Sequence, residues 1–337
     1  MSSLTVVIPV YNEREQIAHT IRALLDEVAA SGFAGVQVIV VDDGSTDGTA
    51  AAVASLGLRQ VEVLSQPNQG RLAARRSGMA AARGDHLLFL DSRVRVVPGS
   101  LSFVAGRVAK GQEVWNGHVC IETAGNPYGQ FWNVLTELAF AAYFGRPRTT
   151  SFGAADFDAF PKGTTCFLAP TGLLREAFGR FNTRYSDERH ANDDTPILRW
   201  LATQTAINIS PSFACRYRPR DTFRGFWKHA VHRGVVFLDG HVRPESRFFL
   251  PAVAFYPGSL VLTGLALRRP RAIPLLAVGA VAAAGLLAVA KRRRPAEVAS
   301  FAVLTPVYAL AHGLGMWQGL VMLLAHAGRG AVEKGRP

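Results

Sequence analysis

The chain has 337 residues, more than one average domain needs, and a formal net charge of +12. Residues 216–337 hold 18 Lys and Arg against 5 Asp and Glu, whereas residues 1–215 hold 19 against 20. Because the basic part is also the most apolar, we expect it to contact a lipid bilayer with anionic lipids, and the absence of a nucleic-acid-binding motif argues against a nucleic acid partner.

Cysteine usage and the N-terminus both indicate a reducing compartment. Cys120, Cys166 and Cys215 lie far apart and form no Cys-x-x-Cys pair, so we expect reduced core residues rather than a disulfide frame or a metal site. A strand pattern follows Met1 within three residues, with no charged segment and long apolar stretch of a secretory signal. The first two-thirds of the chain are therefore predicted to be cytosolic.

The first 110 residues alternate apolar runs with helical patterns. Strands are predicted at residues 4–10, 36–43, 61–67 and 85–91, and helices at residues 13–31, 46–57 and 70–83. Continuous Val, Ile and Leu runs separated by helices predict an α/β fold with a parallel sheet covered on both faces. Ligands bind at the carboxyl ends of such strands. Polar clusters lie there, at residues 11–13, 42–45 and 91–93.

The middle of the chain is more mixed. Residues 160–182 predict a loop, a buried strand and a helix, and residues 215–237 form a basic, aromatic and amphipathic segment. Between them, Asp193 and Asp194 precede a helical pattern that has Pro196 in its first turn, an arrangement typical of a capped helix start.

Three long apolar segments follow, at residues 248–267, 272–290 and 298–325. Each is near the length of about 20 residues that crosses a bilayer, and buried core helices are the alternative. Basic linkers at 268–271 and 291–294 cannot both be cytosolic if the middle segment crosses once. Either that segment is re-entrant or interfacial, or one linker faces outward; we favour a cytosolic 291–294.

These patterns divide the chain into four parts. Residues 1–215 are predicted to form a cytosolic domain, 216–247 a basic amphipathic interfacial segment, 248–327 a membrane domain of two or three helices, and 328–337 a polar tail.

Carboxylates cluster after the first two predicted strands. Glu13, Asp42 and Asp43 are expected in one crevice, where Gly44 permits a sharp turn. Carboxylates there suit hydrogen bonds to a base N–H or a ribose diol. The alternative is that Asp43, with neighbouring Ser and Asp residues, only forms turns and a helix cap.

Five stretches in this order, "VVIPVYNE", "VVDDGSTDGT", "NQGRLAARRSG", "ARGDHLLFLD" and "NDDTPILRWL", resemble the inverting family 2 glycosyltransferases of GT-A fold over residues 4–235. The terminal apolar helices with "HGLGMWQG" further resemble the membrane-attached, succinoglycan-type branch. The resemblance implies a Rossmann-like, mostly parallel sheet followed by transmembrane helices. It also implies inverting sugar transfer from a nucleotide-sugar to a lipid-linked or glycan acceptor, in polysaccharide or glycolipid biosynthesis at a plasma membrane such as the bacterial inner membrane.

The resemblance also implies donor-binding residues. Five positions would contact the base and ribose: Val10, Tyr11, Glu13, Asp42 and Asp43. Arg71 and Arg75 would lie near the nucleotide, and for Arg75 a structural ion pair is the alternative.

Asp91 matches the first acid of the family's Asp-x-Asp, which implies a divalent cation, Mg²⁺ or Mn²⁺, on the diphosphate. One carboxylate can suffice for such an ion when phosphate oxygens and waters complete its shell. Arg93, however, stands where the last acid would be. It could neutralise phosphate directly or pair with a neighbouring acid, so metal-dependent binding, metal-free binding and an inactive site all stay open.

Asp194 aligns with the family's catalytic base and Asp193 with its neighbour. Inversion requires a base that takes the proton of the attacking hydroxyl. Helix capping is the alternative, and an acceptor that is already a phosphate anion needs no strong base.

Before this acid pair in the sequence, Lys162 and Gly163 align with the acceptor-side loop of the family. Gly163 would permit close approach, and Lys162 would meet a diphosphate or be a solvated lysine. His229, His232 and Arg233 lie where processive relatives carry Gln-x-x-Arg-Trp; they would close over the diphosphate or lie on the surface of an interfacial helix. Only Arg233 matches that motif, so processive synthesis is not predicted.

Two other functions are alternatives to sugar transfer. A catalytically degenerate membrane scaffold or nucleotide sensor would explain Arg93 but not the retained Glu13, Asp42, Asp43 and Asp194. A nucleotidyltransferase would need a Gly-rich basic loop after the first strand, which the sequence lacks there.

Overall fold

The structure is a computed structural model that describes residues 2–334, with side chains described for residues 2–325. The side chains of the predicted polar tail, 328–337, therefore lie outside the described residues. Contacts divide the chain into two compact units. The sheet unit comprises residues 2–120, 140–182 and 193–218, and the helical unit comprises residues 121–139, 183–192 and 219–334.

The strands of the described residues form one nine-stranded sheet. They are β1 (Leu4–Val10), β2 (Val36–Asp42), β3 (Val61–Ser65), β4 (His86–Leu90), β5 (Val94–Val96), β6 (Trp115–Ile121), β7 (Thr150–Phe152), β8 (Cys166–Pro170) and β9 (Ile207–Tyr217). The order is β3-β2-β1-β4-β8-β6-β9-β5, with β7 paired to β9.

Helices connect and cover these strands. Over the described residues they are α1 (Ile17–Ala29), α2 (Thr49–Ala54), α3 (Arg71–Ala80), α4 (Ser100–Val108), α5 (Pro127–Ala139), α6 (Ala141–Phe144), α7 (Thr171–Arg180), α8 (Thr195–Gln204), α9 (Phe223–His241), α10 (Phe249–Arg268), α11 (Ala272–Ala290) and α12 (Pro295–Lys334).

The α/β fold class is confirmed, and the four strands predicted in the first 110 residues are all present. β1 pairs in parallel with both β2 and β4, and β2 with β3. The other half of the sheet is antiparallel, as in the β4–β8, β6–β8 and β5–β9 pairs, so the whole sheet is mixed.

β1 and β4 are buried on both faces, as their continuous apolar sequences predicted, whereas the edge strand β3 is partly exposed. Every residue of β1 and of β4 is buried. On one face, Ile17, Ile21 and Leu24 of α1 belong to the same apolar cluster as β1 and β2. On the other, α3 approaches so closely that a Cβ at Gly78 would collide with Val7 and Val41.

The prediction that all three cysteines are core residues is wrong for Cys120. Cys166 and Cys215 are buried, whereas Cys120 is exposed. The reason is the short pairing of its strand, because β6 meets β8 only at Trp115 and Asn116. Its last residues therefore extend beyond the buried part of the sheet.

The helical unit contains three helices that are long and apolar enough to cross a membrane: Phe249–Arg268, Ala272–Ala290 and Pro295–Ala325. They correspond to the three apolar segments of the sequence. Only 6% of α10 and 11% of α11 is buried, so most of their apolar side chains are exposed. A lipid environment would cover them, whereas buried core helices would not look this way.

α12 packs along α9 by backbone contact. A Cβ at Gly315 of α12 would collide with the carbonyl oxygen of Val231, and a Cβ at Gly234 of α9 would collide with that of His312. The "HGLGMWQG" segment of α12 therefore packs closely against α9. At its start α12 is held by ion pairs, Arg293 with Glu137 of α5 and Arg294 with Glu297.

Candidate active site

The two loops that follow β1 and β2 are joined by hydrogen bonds. The backbone N–H of Asn12 donates to Ser45 Oγ at 3.0 Å, and Asn12 Oδ1 accepts from the N–H of Thr46 at 2.8 Å. The N–H of Glu13 donates to Thr49 Oγ1 at 3.0 Å. Asn12 has a φ of +54°, a left-handed conformation that Asn tolerates better than most residues. Two motifs that are distant in the sequence therefore lie side by side at the carboxyl ends of β1 and β2.

Asp43 organises the turn that leads into α3. One carboxylate oxygen accepts hydrogen bonds from Gln66 Nε2 at 2.8 Å and from the N–H of Gln69 at 3.0 Å. The other accepts from the N–H of Gly70 at 2.8 Å. Asp43 thereby fixes the start of the helix that carries Arg71 and Arg75, and its role toward a nucleotide stays a prediction.

The remaining donor-side residues differ in exposure. Val10 is buried, whereas Tyr11 is 46% exposed at the end of β1. Asp42 is buried and accepts a hydrogen bond from the N–H of Ser45 at 3.1 Å. Gly44 has a φ of +75°, and a Cβ there would lie 2.7 Å from the backbone nitrogen of Asn68, so the predicted need for glycine is confirmed. An exposed aromatic ring beside carboxylates suits the stacking of a flat base.

The centre of the site is a charge chain that sequence reasoning did not predict. Arg75 is 1% exposed; its Nη2 donates to Asp91 Oδ1 at 2.8 Å and its Nη1 pairs with Asp193. Arg71 binds Asp193 with two hydrogen bonds of 2.7 Å, while its own side chain is 48% exposed. The Arg75 guanidinium also lies over the ring of Phe89, 5.6 Å from its centroid. Two arginines thus hold one buried carboxylate.

These pairs set the charge of the site. Burial alone would raise the pKa of Asp193, but Arg71 and Arg75 outweigh it and hold that pKa below its ordinary value. Asp193 in turn raises the pKa of Arg71. The two arginines therefore favour the ionised form of Asp193.

At the end of β4, the side chains of Asp91 and Arg93 bind different partners. Arg93 Nη1 lies 3.6 Å from Glu13 Oε2, and its Nε donates to the carbonyl of Arg218 at 3.1 Å. The structure thus shows the alternative in which Arg93 pairs with a neighbouring acid. Among the described residues, no group of three or more His, Cys, Asp or Glu side chains could hold a metal. Asp91 keeps one carboxylate oxygen outside its Arg75 bond, which fits a hard cation whose other ligands are phosphates and waters.

Asp194 caps α8 and faces a glycine. Its Oδ1 accepts from both the N–H and the hydroxyl of Thr195, the second at 2.9 Å. The predicted capping alternative is therefore real, but it uses only one oxygen. A Cβ at Gly163 would lie 3.5 Å from Asp194 Oδ2, and this oxygen accepts no hydrogen bond from the described residues. The glycine leaves one face of that oxygen open.

Asn116 on β6 fixes the Gly163 loop and was missed by sequence reasoning. Its Oδ1 accepts from the N–H of Gly163 at 3.1 Å, and its Nδ2 donates to the carbonyl of Pro161 at 3.3 Å. No local pattern marks Asn116, because its partners lie more than forty residues away.

The side chain of Lys162 binds the backbone of its own loop. Its Nζ donates to the carbonyls of Phe157 at 2.6 Å and Phe160 at 3.0 Å, lies 3.8 Å from Asp158, and sits 4.4 Å from the centroid of the Phe157 ring. The side chain is 7% exposed, so it is not a solvated surface lysine. Its predicted contact with a diphosphate stays untested.

The histidines and arginine of α9 lie in the helical unit. The His229 ring is 5.0 Å from that of Trp132, and the Arg233 guanidinium lies 5.2 Å from the Trp132 centroid. His232 is exposed and lies 6.5 Å from His190, ring to ring. Their predicted closure over a diphosphate stays a prediction.

Two bacterial transferases match part of this chain. The undecaprenyl-phosphate 4-deoxy-4-formamido-L-arabinose transferase of Pseudomonas paraeruginosa is 33% identical over 115 residues, 33% of this chain and 34% of that protein. The transferase of the same name from Aeromonas hydrophila is 34% identical over 118 residues, 33% of this chain and 35% of that protein. The matched segment thus spans about a third of the length of either relative.

Among solved structures, a mannosyltransferase from Pyrobaculum calidifontis in complex with GDP-Man and Mn²⁺ has a TM-score of 0.49 and 19% identity, and covers 99% of this chain and 88% of that one. The sequence model described as "Glycosyl transferase family 2" matches residues 5–171, from the first strand to the start of α7. That segment includes Asp42, Asp43, Arg71, Arg75 and Asp91. Over this segment, just under half of the chain, the protein is similar to glycosyl transferase family 2.

Proposed function

We propose that this protein transfers a sugar from a nucleotide-sugar to a lipid-linked acceptor, with inversion at the anomeric carbon. The observation that carries the proposal is the chain of charges Asp91–Arg75–Asp193–Arg71, with Asp194 next to it, in a chain similar to glycosyl transferase family 2. A merely structural ion-pair network would not need a second acid whose free oxygen faces a glycine.

The donor would bind across the joined loops after β1 and β2. Tyr11 offers an exposed ring for the base, and Asp42 offers a carboxylate for a base N–H or a ribose diol. Arg71 is half exposed although it already binds Asp193, so its remaining N–H groups can reach a diphosphate. Because Asp43 fixes the turn before Arg71, the phosphate-binding group is positioned before the donor arrives.

Asp194 would act as the base. Asp193 is held by two arginines, so of the two acids only Asp194 keeps an oxygen able to accept a proton. Attack by an acceptor hydroxyl transfers that proton to Asp194 Oδ2 as the new bond forms at the anomeric carbon and the nucleoside diphosphate leaves. If the attacking group is a phosphate, no proton needs to move and Asp194 only positions it.

The charge of the leaving diphosphate requires compensation. Asp91 would hold a divalent cation, Mg²⁺ or Mn²⁺, which when bound neutralises phosphate oxygens. Within the chain, Arg71 would compensate this charge directly. Arg75 would act indirectly, by fixing Asp91 and Asp193. Arg93 is paired with Glu13, and a donor that displaces Glu13 would free it for phosphate.

The acceptor is proposed to be lipid-linked, a polyprenyl phosphate or a glycan it carries. Three helices that could cross a membrane support this, and so do the relatives that are named undecaprenyl-phosphate transferases. We place the protein in a bacterial inner membrane with the sheet unit in the cytoplasm, where nucleotide-sugars are made. The ion pair between Arg293 and Glu137 supports a cytosolic linker 291–294, because α5 follows directly from the sheet strand β6.

The test uses the full chain in lipid nanodiscs. A panel of UDP-, GDP- and dTDP-sugars is screened for thermal stabilisation with and without EDTA, and the best donor is then assayed with polyprenyl phosphate and Mg²⁺. We expect one nucleotide class to raise the Tm, and Asp194→Asn to bind it equally well but to transfer more slowly to a hydroxyl acceptor. Absence of binding by every nucleotide-sugar would refute the proposal. Nucleotide binding without transfer, unchanged in Asp194→Asn, would favour the sensor.

A further inference from the structure

Asp239 on α9 is a fully buried carboxylate that binds a loop rather than a cation. Its exposure is 0%. One oxygen accepts from Thr183 Oγ1 at 2.9 Å and from the N–H of Asn192 at 2.8 Å, and the other accepts from the N–H of Arg184 at 2.9 Å. No Lys or Arg of the described residues forms an ion pair with it.

These bonds hold both ends of one segment, residues 183–192, which we call the approach loop. Three further contacts with α9 support it. Tyr185 Oη donates to the carbonyl of Val235 at 2.6 Å, Asn192 Nδ2 donates to that of Val236 at 3.1 Å, and Gly240 leaves room for the Asn192 side chain, which a Cβ would strike. The loop is thus fastened at its first and last residues to a single carboxylate.

Burying an ionised carboxylate without a cation is costly, and only its hydrogen bonds offset that cost. An apolar residue at position 239 would avoid the cost but would leave the N–H groups of Arg184 and Asn192 without their acceptor. The contacts therefore point to a requirement for a fixed loop path rather than for core packing.

The next residue after the approach loop is Asp193, and the one after it is Asp194. We propose that Asp239 is a positioning residue for this acid pair: by holding Asn192 it fixes where the chain delivers Asp193 to its arginines and Asp194 to the acceptor. The inference rests on the proposed function of Asp194. It assigns to α9 a part in catalysis through the approach loop, separate from the predicted roles of His229, His232 and Arg233.

The test compares three variants of the full chain in nanodiscs. Asp239→Asn replaces one acceptor oxygen by a donor, and Thr183→Val removes one of the three donors to Asp239. Glu27→Gln is the matched control, because Glu27 is also buried and accepts backbone N–H groups, from Gly99 at 2.8 Å and Leu101 at 3.2 Å, far from the acid pair in the sequence. The readouts are kcat, KM for the donor, the Kd of UDP or GDP, the Tm, and amide hydrogen exchange over residues 183–194.

In Asp239→Asn we expect kcat to fall by about 100-fold, the size of effect that a misplacement of about 1 Å produces, with KM and the nucleotide Kd unchanged. In Thr183→Val we expect kcat to fall as well, but by a smaller factor. Exchange of residues 183–194 should accelerate in both. Glu27→Gln should lower the Tm and leave kcat unchanged.

A kcat for Asp239→Asn within about twofold of wild type, in protein that remains folded, overturns the proposal. If Asp239→Asn does not fold, Thr183→Val decides by the same criterion. A wild-type chain that transfers no sugar refutes the proposed function instead. In that case hydrogen exchange still decides the inference, because unchanged exchange of residues 183–194 would show that the carboxylate does not fix the loop.

Discussion

Arg75 donates a hydrogen bond of 2.8 Å to Asp91 from a guanidinium that is almost wholly buried. The same guanidinium pairs with Asp193, so the position predicted for a metal and the acid next to the predicted base share one cation. The structural ion pair that was the alternative for Arg75 is therefore present, and it lies inside the candidate active site. A buried cation between two acids makes their positions interdependent.

Replacing Arg75 should damage both stability and transfer. Arg75→Met deprives Asp91 of its Arg75 partner and leaves Asp193 with Arg71 alone, and breaking a buried pair typically costs about 3–5 kcal/mol. We expect a large fall in Tm and loss of transfer, measured by thermal unfolding and by the donor assay. The control is Arg180→Gln, which breaks an exposed pair with Glu176 and should cost less than about 1 kcal/mol. Equal losses in the two variants would contradict the finding.

Asp193 should make the stability of the protein depend on acid pH. Its pKa is depressed below the ordinary value of 3.8, so its stabilising contribution is fully present above that value and is lost as pH falls below it. Asp193→Asn lacks this contribution. We therefore expect the Tm difference between wild type and Asp193→Asn to be largest near neutral pH and to shrink below about pH 4, as measured by thermal unfolding in a pH series. A constant difference would mean that the two arginines do not hold the ionised form.

Arg93→Asp should strengthen divalent metal binding. The substitution removes the partner of Glu13 and places a second carboxylate two residues after Asp91. More carboxylate ligands bind Mg²⁺ and Mn²⁺ more tightly, so we expect a larger Tm increase on adding either ion with nucleoside diphosphate. Arg93→Gln removes the cation without adding a ligand and is the control. If metal affinity and activity match wild type in Arg93→Asp, Arg93 has no part in the diphosphate site.

Gly163→Ala should slow transfer without unfolding the protein. The new methyl would lie 3.5 Å from Asp194 Oδ2, an ordinary contact distance that removes space for an acceptor and not for the fold. We expect kcat to fall by about tenfold or more, with little change in Tm. Gly172→Ala on α7, where a Cβ meets nothing within 4 Å, is the control and should keep full activity. Normal kcat in Gly163→Ala would argue against a reacting group at Oδ2.

Two glycine substitutions in the helical unit should have opposite effects. Gly315→Ala drives a methyl into the carbonyl of Val231, and overpacking of this kind typically costs about 1–3 kcal/mol. Gly264→Ala on α10 meets nothing within 4 Å and should stabilise its helix by about 0.5–1 kcal/mol. Thermal unfolding in nanodiscs measures both. The same sign in both variants would show that the α9–α12 contact is not close.

The parallel half of the fold and the polar clusters at its strand ends were predictable because both leave local signals. β1, β2 and β4 read as continuous apolar runs, and each polar cluster follows a strand end directly. Gly44 was predictable because a sharp turn after a strand favours glycine. The antiparallel half was not, since paired residues there lie far apart in sequence, as Leu90 and Cys166 do.

The pairing of charges could not be predicted. Arg71 and Asp193 are separated by 122 residues, and nothing in either motif identifies the other as its partner. Asp43 likewise has the composition of a ligand-binding acid, yet its oxygens bind a turn more than twenty residues later. Lys162 looked solvated because lysine usually is, and the aromatic loop that buries it depends on tertiary contact.

The hydrogen bonds that join Asn12 to Ser45 and Thr46 bear on engineering. Each loop supplies hydrogen-bonding groups that the other uses. A graft of residues 11–13 alone would import a loop without its support, and the same holds for residues 43–49. A change of donor preference by grafting therefore has to transplant both segments together, as a single part that the chain encodes in two places.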